Sequence, residues 1–177
     1  KVIRRELRIH EGMKYSGSKL RISKERVNRL GFFEPNSVVF KTVPAAGRDD
    51  IVNVEINVKE AQTGQLQVGA GYSSATGVFF NGNISQNNFM GTGRILNFNF
   101  QRAGNIQTTY RFGITDPYFL DTRWTLGGDI FNTSSNLISS FAFEKKGFDI
   151  RTGYPIFEYT QLFLTYRYEE TEVNNVL

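Results

Sequence analysis

The chain has 177 residues with a formal net charge of +4, 40% hydrophobic residues and a mean hydropathy of -0.34, enough for one ordinary domain or two small ones. It has no cysteine, which removes disulfide frameworks, thiolate nucleophiles and cysteine–zinc sites. No run approaches the ~18 apolar residues that a transmembrane helix needs, while 16 Phe, 8 Tyr and 17 Gly against 4 Pro fit a β-rich chain.

The chain opens at Lys1-Val2-Ile3-Arg4-Arg5 with neither an initiator Met nor a signal-peptide pattern, and is expected to be an excised piece of something longer. Residues 1–60 carry 13 Lys/Arg against 8 Asp/Glu and residues 61–177 carry 8 against 9. The basic character thus belongs to the first part alone. That part reads as a small α+β module. Val2–His10 has helical spacing, stopped by Glu11-Gly12. Ser18 is placed to cap a second helix, Lys19–Leu30, with Gly31 as its stop. A candidate strand follows at Ser37–Val43. Then Val52, Val54, Ile56 and Val58 alternate with Asn53, Glu55, Asn57 and Lys59, as in a half-buried strand. The positive charges are spread round the helices with no aromatic platform or Gly-rich phosphate loop, so they read as solvated surface and no nucleic-acid partner is expected. His10, the single histidine, reads as a helix-end residue.

From Gln65 onward seven strands are predicted. In Gln65–Tyr72, Leu66, Val68, Ala70 and Tyr72 share one face, and Gln65, Gln67, Gly69 and Gly71 the other. The second strand sets Val78, Phe80 and Ile84 against Asn81, Asn83 and Ser85. The third, Arg94–Arg102, sets Leu96, Phe98 and Phe100 against Asn97, Asn99 and Gln101. The fourth, Gln107–Thr115, sets Tyr110, Phe112 and Ile114 against Arg111, and the fifth, Arg123–Thr133, sets Trp124, Leu126 and Ile130 against Asp129. In the sixth, Phe141 and Phe143 are out of phase with Phe148, Ile150 and Tyr154, which predicts a bulge or loop at Glu144–Gly147. The seventh, Tyr159–Glu169, places Leu162, Leu164, Tyr166 and Tyr168 opposite Thr165 and Arg167.

Alternation alone fits a soluble sandwich or a membrane barrel; the connections separate them. Read as hairpins, one set of turns holds Phe89, Tyr118, Phe119, Phe157 and Tyr159. The other is polar, at Ser73–Gly77, Ala103–Ile106 and Asn132–Asn136. Aromatics gathered at one end are what a bilayer interface selects. Arg111, Arg151 and Arg167 fall on the polar face, and Lys145 and Lys146 in the predicted break; a cation facing lipid near the midplane would cost roughly 2–4 kcal/mol. The expected fold is therefore mainly β: the first seven strands of an incomplete antiparallel transmembrane β-barrel, preceded by the small α+β module. An odd, open set of strands needs further strands to close it.

No catalytic constellation is visible. One histidine and no cysteine leave triads and H-E-x-x-H sites without their parts. Gly91-Thr92-Gly93 is a turn with no helix after it. Asp116, Asp121 and Asp129 are explained by turn chemistry and lumen polarity. The chain is not expected to be an enzyme or to need a cofactor or metal.

Four motifs, Asn28-Arg-Leu-Gly-Phe-Phe-Glu34, Gly69-Ala-Gly-Tyr72, Asn88-Phe-Met-Gly-Thr-Gly93 and Thr115-Asp-Pro-Tyr-Phe119, stand in an order and spacing that closely resembles the BamA-type outer-membrane β-barrel assembly factors of Gram-negative bacteria. The resemblance implies that residues 1–60 are most of the last POTRA domain, a periplasmic β-α-α-β-β module lacking its first strand here. It implies that residues 61–177 open a barrel of about sixteen strands in the outer membrane. The implied partners are unfolded outer-membrane β-barrel proteins, lipoprotein and chaperone subunits through the POTRA region, and the lipid bilayer. The implied mechanism is templating on the edge of strand Gln65–Tyr72 (Gln65, Leu66, Gln67, Val68, Gly69, Ala70, Gly71, Tyr72) by β-augmentation. Gly69 and Gly71 either weaken that strand or make room for neighbours inside a crowded lumen. Gly31, Phe32, Phe33, Gly91, Gly93, Asp116, Pro117, Tyr118 and Phe119 are expected as structural motifs. Alternatives are a TamA-like or two-partner secretion relative, a passive porin-like channel, and a soluble nucleic-acid-binding β-protein.

Overall fold

The computed structural model describes residues 1–177 apart from 75, 139, 140, 158, 159, 176 and 177, and describes side chains for all of these but 49, 137, 138, 141 and 175. Two compact units are present, Lys1–Thr63 and Gly64–Leu177.

The first unit holds α1 (Val2–Glu6), α2 (Gly17–Arg29) and an antiparallel pair, β1 (Val39–Ala45) and β2 (Arg48–Asn57). α1 ends at Glu6, earlier than predicted, and His10 lies beyond it, exposed. α2 begins two residues early as well. Ser16, not Ser18, is the N-cap, accepting from the Lys19 N–H at 3.5 Å, and Ser18 meets Ser16 Oγ at 3.0 Å. Ser23 is the polar lynchpin of the helix pair. Fully buried, its hydroxyl donates to the Lys19 carbonyl and accepts from the Arg8 N–H, both at 2.8 Å. Val27, one turn on in α2, and Val38, just before β1, are buried, and Glu6 is neutralised by Arg26 at 3.3 Å.

The second unit is one antiparallel meander of seven strands: β3 (Gly64–Ser73), β4 (Gly77–Phe89), β5 (Arg94–Ala103), β6 (Gln107–Asp116), β7 (Thr125–Ile138), β8 (Phe141–Phe157) and β9 (Thr160–Asn175), each paired with its neighbours in chain order. Two corrections concern its polar end. β8 runs unbroken through Glu144–Gly147, paired residue for residue with β7 and β9. Phe143 therefore lies in the inward register with Lys145 and Asp149, and no bulge is needed; the Phe141 side chain lies outside the described residues. β7 likewise continues through Asn132–Asn136, predicted as a turn, to Ile138. Polar residues there are strand residues beyond the apolar band. Of the predicted turn aromatics, Phe119 and Phe157 are exposed, while Tyr159, like Ala75 of the first polar turn, lies outside the described residues.

The ladders put Leu66, Val68, Phe80, Leu96, Phe98, Phe112, Leu126 and Leu164 on one face and Asn81, Asn97, Arg111, Asp129 and Arg167 on the other. One unbroken row, Leu66–Ile84–Phe98–Phe112–Ile130–Phe148–Tyr168, crosses all seven strands. Among the described residues of its unit it packs against no second sheet. Leu66, Val68 and Leu164 are 72%, 74% and 69% exposed, and among the described residues the buried hydrophobics are only Val2, Val27, Val38 and Ala103. Burying such a side chain gains about 1.5–3 kcal/mol, so leaving this row in water would forfeit on the order of 10 kcal/mol, comparable with a whole domain's stability. Lipid is the solvent this face fits.

The band also slopes. On β3 its outward residues are Leu66 to Tyr72, and on β9 Leu162 to Tyr168, yet Leu66 and Tyr168 share a row. The band centre moves by six residues, about 20 Å, across six interstrand spacings, about 29 Å, a tilt of about 35°. Membrane barrels tilt their strands by ~35–45°. The same ruler explains two outward cations. Arg102 lies three residues, about 10 Å along its strand, and Lys146 four residues, about 13 Å, beyond the band centre, both toward the polar end of a band ~25 Å tall. Lys146 there meets Glu172 at 3.1 Å and Glu170 at 3.6 Å.

Candidate functional site

The candidate site is the free edge of β3, which pairs with β4 alone in this chain. Which backbone groups face that edge follows from one bond. The Gly104 N–H donates to the Val78 carbonyl at 2.8 Å, so Val78 directs its backbone toward β5. In antiparallel strands a residue's N–H and C=O face the same neighbour, and the side alternates along the chain. Val78 pairs with Tyr72, and the β3–β4 register runs without a break. Leu66, Val68, Ala70 and Tyr72 therefore turn N–H and C=O to the open edge, and Gln65, Gln67, Gly69 and Gly71 bond to β4. The edge-facing residues are the ones whose side chains face lipid.

The inner face at this edge is borrowed. A Cβ added at Gly71 would collide with the tip of the Phe79 ring, and one added at Gly69 with the Asn81 amide. Phe79 and Asn81 pair directly with these glycines from β4, so the geometry favours glycines that make room for neighbours. Phe79 breaks the polar alternation of its own strand, so periodicity alone does not single it out. That break opposite a glycine was the signal.

At the opposite end of the neighbouring strands, the structural motifs come together. Gly91 and Gly93 have φ of 69° and 81° in the β4–β5 turn, where Asn88 Oδ1 accepts from the Gly93 N–H at 2.9 Å. Asp116 joins this turn to the next. It accepts from Arg94 Nε at 2.9 Å and from the Tyr118 N–H at 3.0 Å, and the Pro117 carbonyl accepts from Thr125 Oγ1 at 3.2 Å. The Phe119 N–H donates to the Trp124 carbonyl at 2.8 Å, and Trp124 packs on Tyr154 with ring centroids 4.9 Å apart. Gly31, Phe32 and Phe33 belong to the first unit. Gly31 (φ 68°) closes α2, Phe32 accepts from the Ala61 N–H at 2.9 Å and Phe33 bridges to Glu60.

Farther along the inner face lies an ion lattice. Asp149, 3% exposed, takes Arg167 Nε at 2.5 Å and Nη2 at 2.9 Å and Arg111 Nη1 at 3.1 Å. Both guanidiniums sit over the Phe131 ring, 5.0 and 5.6 Å from its centre. Arg151 pairs with Asp129 at 2.7 Å. Among the described residues no group of three His, Cys, Asp or Glu is placed to hold a metal.

The Omp85 superfamily domain matches residues 88–176, and a POTRA family, described as surface antigen variable number repeat, matches residues 1–61. The chain is similar to the outer membrane protein assembly factor BamA of Neisseria meningitidis serogroup B, 36% identical over 169 residues, covering 91% of this chain and 21% of that protein. It is also similar to BamA of Nitratidesulfovibrio vulgaris, 30% identical over 99% of this chain and 22% of that protein. The chain thus spans about a fifth of the length of these curated relatives. The crystal structure of BamA from Haemophilus ducreyi lacking POTRA domains 1–3 superposes with a TM-score of 0.82 at 30% identity, over 98% of this chain and 33% of that one. With half of its length matched by that domain, the chain belongs to the Omp85 superfamily, as an outer-membrane β-barrel segment that follows a periplasmic POTRA module.

Proposed function

We propose that this chain serves an outer-membrane protein assembly factor and that the β3 edge is the template on which incoming β-barrel proteins add their strands. The observation that carries this is the outward turn of the Leu66, Val68, Ala70 and Tyr72 backbones within a lipid-facing strand. An unpaired N–H or C=O in hydrocarbon costs several kcal/mol, so this edge demands a partner strand. A closing strand of the larger barrel meets that demand at rest, and a client strand meets it during insertion. The exchange swaps one set of backbone hydrogen bonds for another and needs no bond-making chemistry. Gly69 and Gly71 add no side chain of their own to either partner strand, and the space over them is taken by Phe79 and Asn81 from β4. The POTRA-matched unit is the region for lipoprotein and chaperone partners on the periplasmic side.

The test is made in the longer protein carrying this segment, reconstituted in lipid vesicles with an unfolded client barrel. Val68→Pro or Ala70→Pro removes one edge-facing donor, and a disulfide from β3 to the closing strand removes the whole edge. Each should abolish client insertion, and reduction should restore the disulfide variant. Val68→Thr, which leaves the backbone donor in place, should insert clients nearly normally. A passive pore predicts the opposite: transport runs through the lumen and a locked seam leaves it untouched. Normal insertion by the fully oxidised protein would defeat the proposal.

A further inference from the structure

The edge is asymmetric between its two faces. Outward, β3 offers Leu66, Val68, Ala70 and Tyr72, an apolar row that any lipid-facing strand complements without discrimination. Inward, it offers no side chain at Gly69 and Gly71. The far end of the Phe79 ring fills the Cβ site of Gly71, and the Asn81 amide fills that of Gly69. Both side chains therefore lean from β4 over the glycines of β3. A strand added at the edge lies only ~4.8 Å farther on. Its inward side chains then meet Phe79 and Asn81 as their cross-strand neighbours, although they pair by backbone with β3.

Resting on the edge-template reading, we infer that β4, through Phe79 and Asn81, sets which client strands are accepted. The two groups differ in chemistry and stand two residues apart along one face. A ring tip favours an aromatic or large aliphatic side chain facing Gly71. An amide favours a hydrogen-bonding side chain facing Gly69. The client fitted best is a strand carrying that apolar–polar pair at alternate inward positions. Phe79 is the discriminating member, because its neighbours in the inward register of β4, Asn81, Asn83 and Ser85, are all polar. A ring that merely covers an edge glycine would stabilise the barrel but would not sort clients, and the experiment separates these roles.

Insertion by the longer protein carrying this segment is measured for a client series in which each inward residue of the terminal strand is in turn Phe or Asn. With Phe79 present, one position should show the Phe client inserting about two- to five-fold faster than the Asn client, the range of a single cross-strand pair. Phe79→Asn should erase or reverse that ratio, and Phe79→Leu should keep most of it. A ratio unmoved by Phe79→Asn overturns the inference while leaving the template reading intact. That reading is judged separately by whether Val68→Pro stops insertion of every client. Should Phe79→Asn fail to fold, as heat-modifiable gel mobility would reveal, a benzoylphenylalanine photocrosslinker at position 79 decides. Crosslinks to an inward client residue support the inference, and crosslinks confined to the protein's own strands overturn it.

Discussion

On its inner face, β3–β5 presents Gln65, Gln67, Asn81, Asn83, Asn97, Asn99 and Gln101 and not one ionisable side chain, whereas β6–β9 presents Arg111, Asp129, Lys145, Asp149, Arg151, Arg167 and Glu169. The second region is stitched across strands. Asp149 on β8 reaches Arg111 on β6 and Arg167 on β9, and Lys145 meets Glu169 at 3.0 Å. Nothing of that kind can form between β3 and β5. Both regions share one outward surface and one backbone ladder, so the contrast is confined to the lumen side. It teaches that adhesion within the sheet is graded. The strands farthest from the β3 edge carry charge-assisted ties, and β3 itself is held by its ladder and by two side chains lent from β4. A template strand has to exchange partners, and weak lateral ties suit it.

The hardest break should come at Asp149. Asp149→Ala leaves two guanidiniums without their shared carboxylate. Removing one partner of a fully buried pair costs about 3–5 kcal/mol; with Arg111 and Arg167 partly open to the lumen, we expect about 2–3 kcal/mol, read from urea unfolding in vesicles. Glycines give the next contrast. At Gly147 an added Cβ would strike the Tyr168 carbonyl and come within 2.9 Å of the Phe131 ring. Backbone cannot step aside, so Gly147→Ala should cost about 1–3 kcal/mol. At Gly71 the obstacle is a ring tip that can swing away, and Gly71→Ala should cost less than half as much and be relieved by Phe79→Ala.

A transplant sharpens the comparison further. Gln67 and Asn83 are directly opposed, so Gln67→Lys with Asn83→Glu would write an ion pair into the compliant region. The stabilisation should be small, about 0.2–1 kcal/mol. Amide exchange across β3–β4, otherwise expected to be faster than across β7–β8, should slow measurably, and client insertion with it. Exchange rates already equal in the two regions would undo the comparison.

The smallest effect lies in the first unit and serves as a control. Glu11 is fully exposed, and its own backbone N–H, followed by Arg4, which meets both carboxylate oxygens at 2.9 and 3.0 Å, holds its carboxyl below the ordinary range. A depressed carboxylate contributes stability above its unfolded value and loses it as pH falls through the folded one. Arg4→Gln should therefore change that unit's stability slightly at neutral pH and not at all in acid, without touching the barrel transitions.

The two faces of the sheet were legible residue by residue. A period of two with Leu, Val and Phe on one side and Asn, Gln and Gly on the other is a local property, and every pairing preserved it. Composition and periodicity also change together near residue 61, and Asp116-Pro117 reads as the end of a strand. The rest depends on how the strands meet. Whether Phe143 faces in or out depends on β8 being held straight by β7 and β9, and an isolated phase shift looks the same as a bulge. The length of β7 was hidden because polar residues above a sloping apolar band read as a turn. The tilt itself comes from interstrand register, which no single strand contains. The pairing of Asp149 with Arg111, 38 residues away, and the lending of Phe79 to Gly71 arise between strands, where a backbone ladder sets which side chains meet.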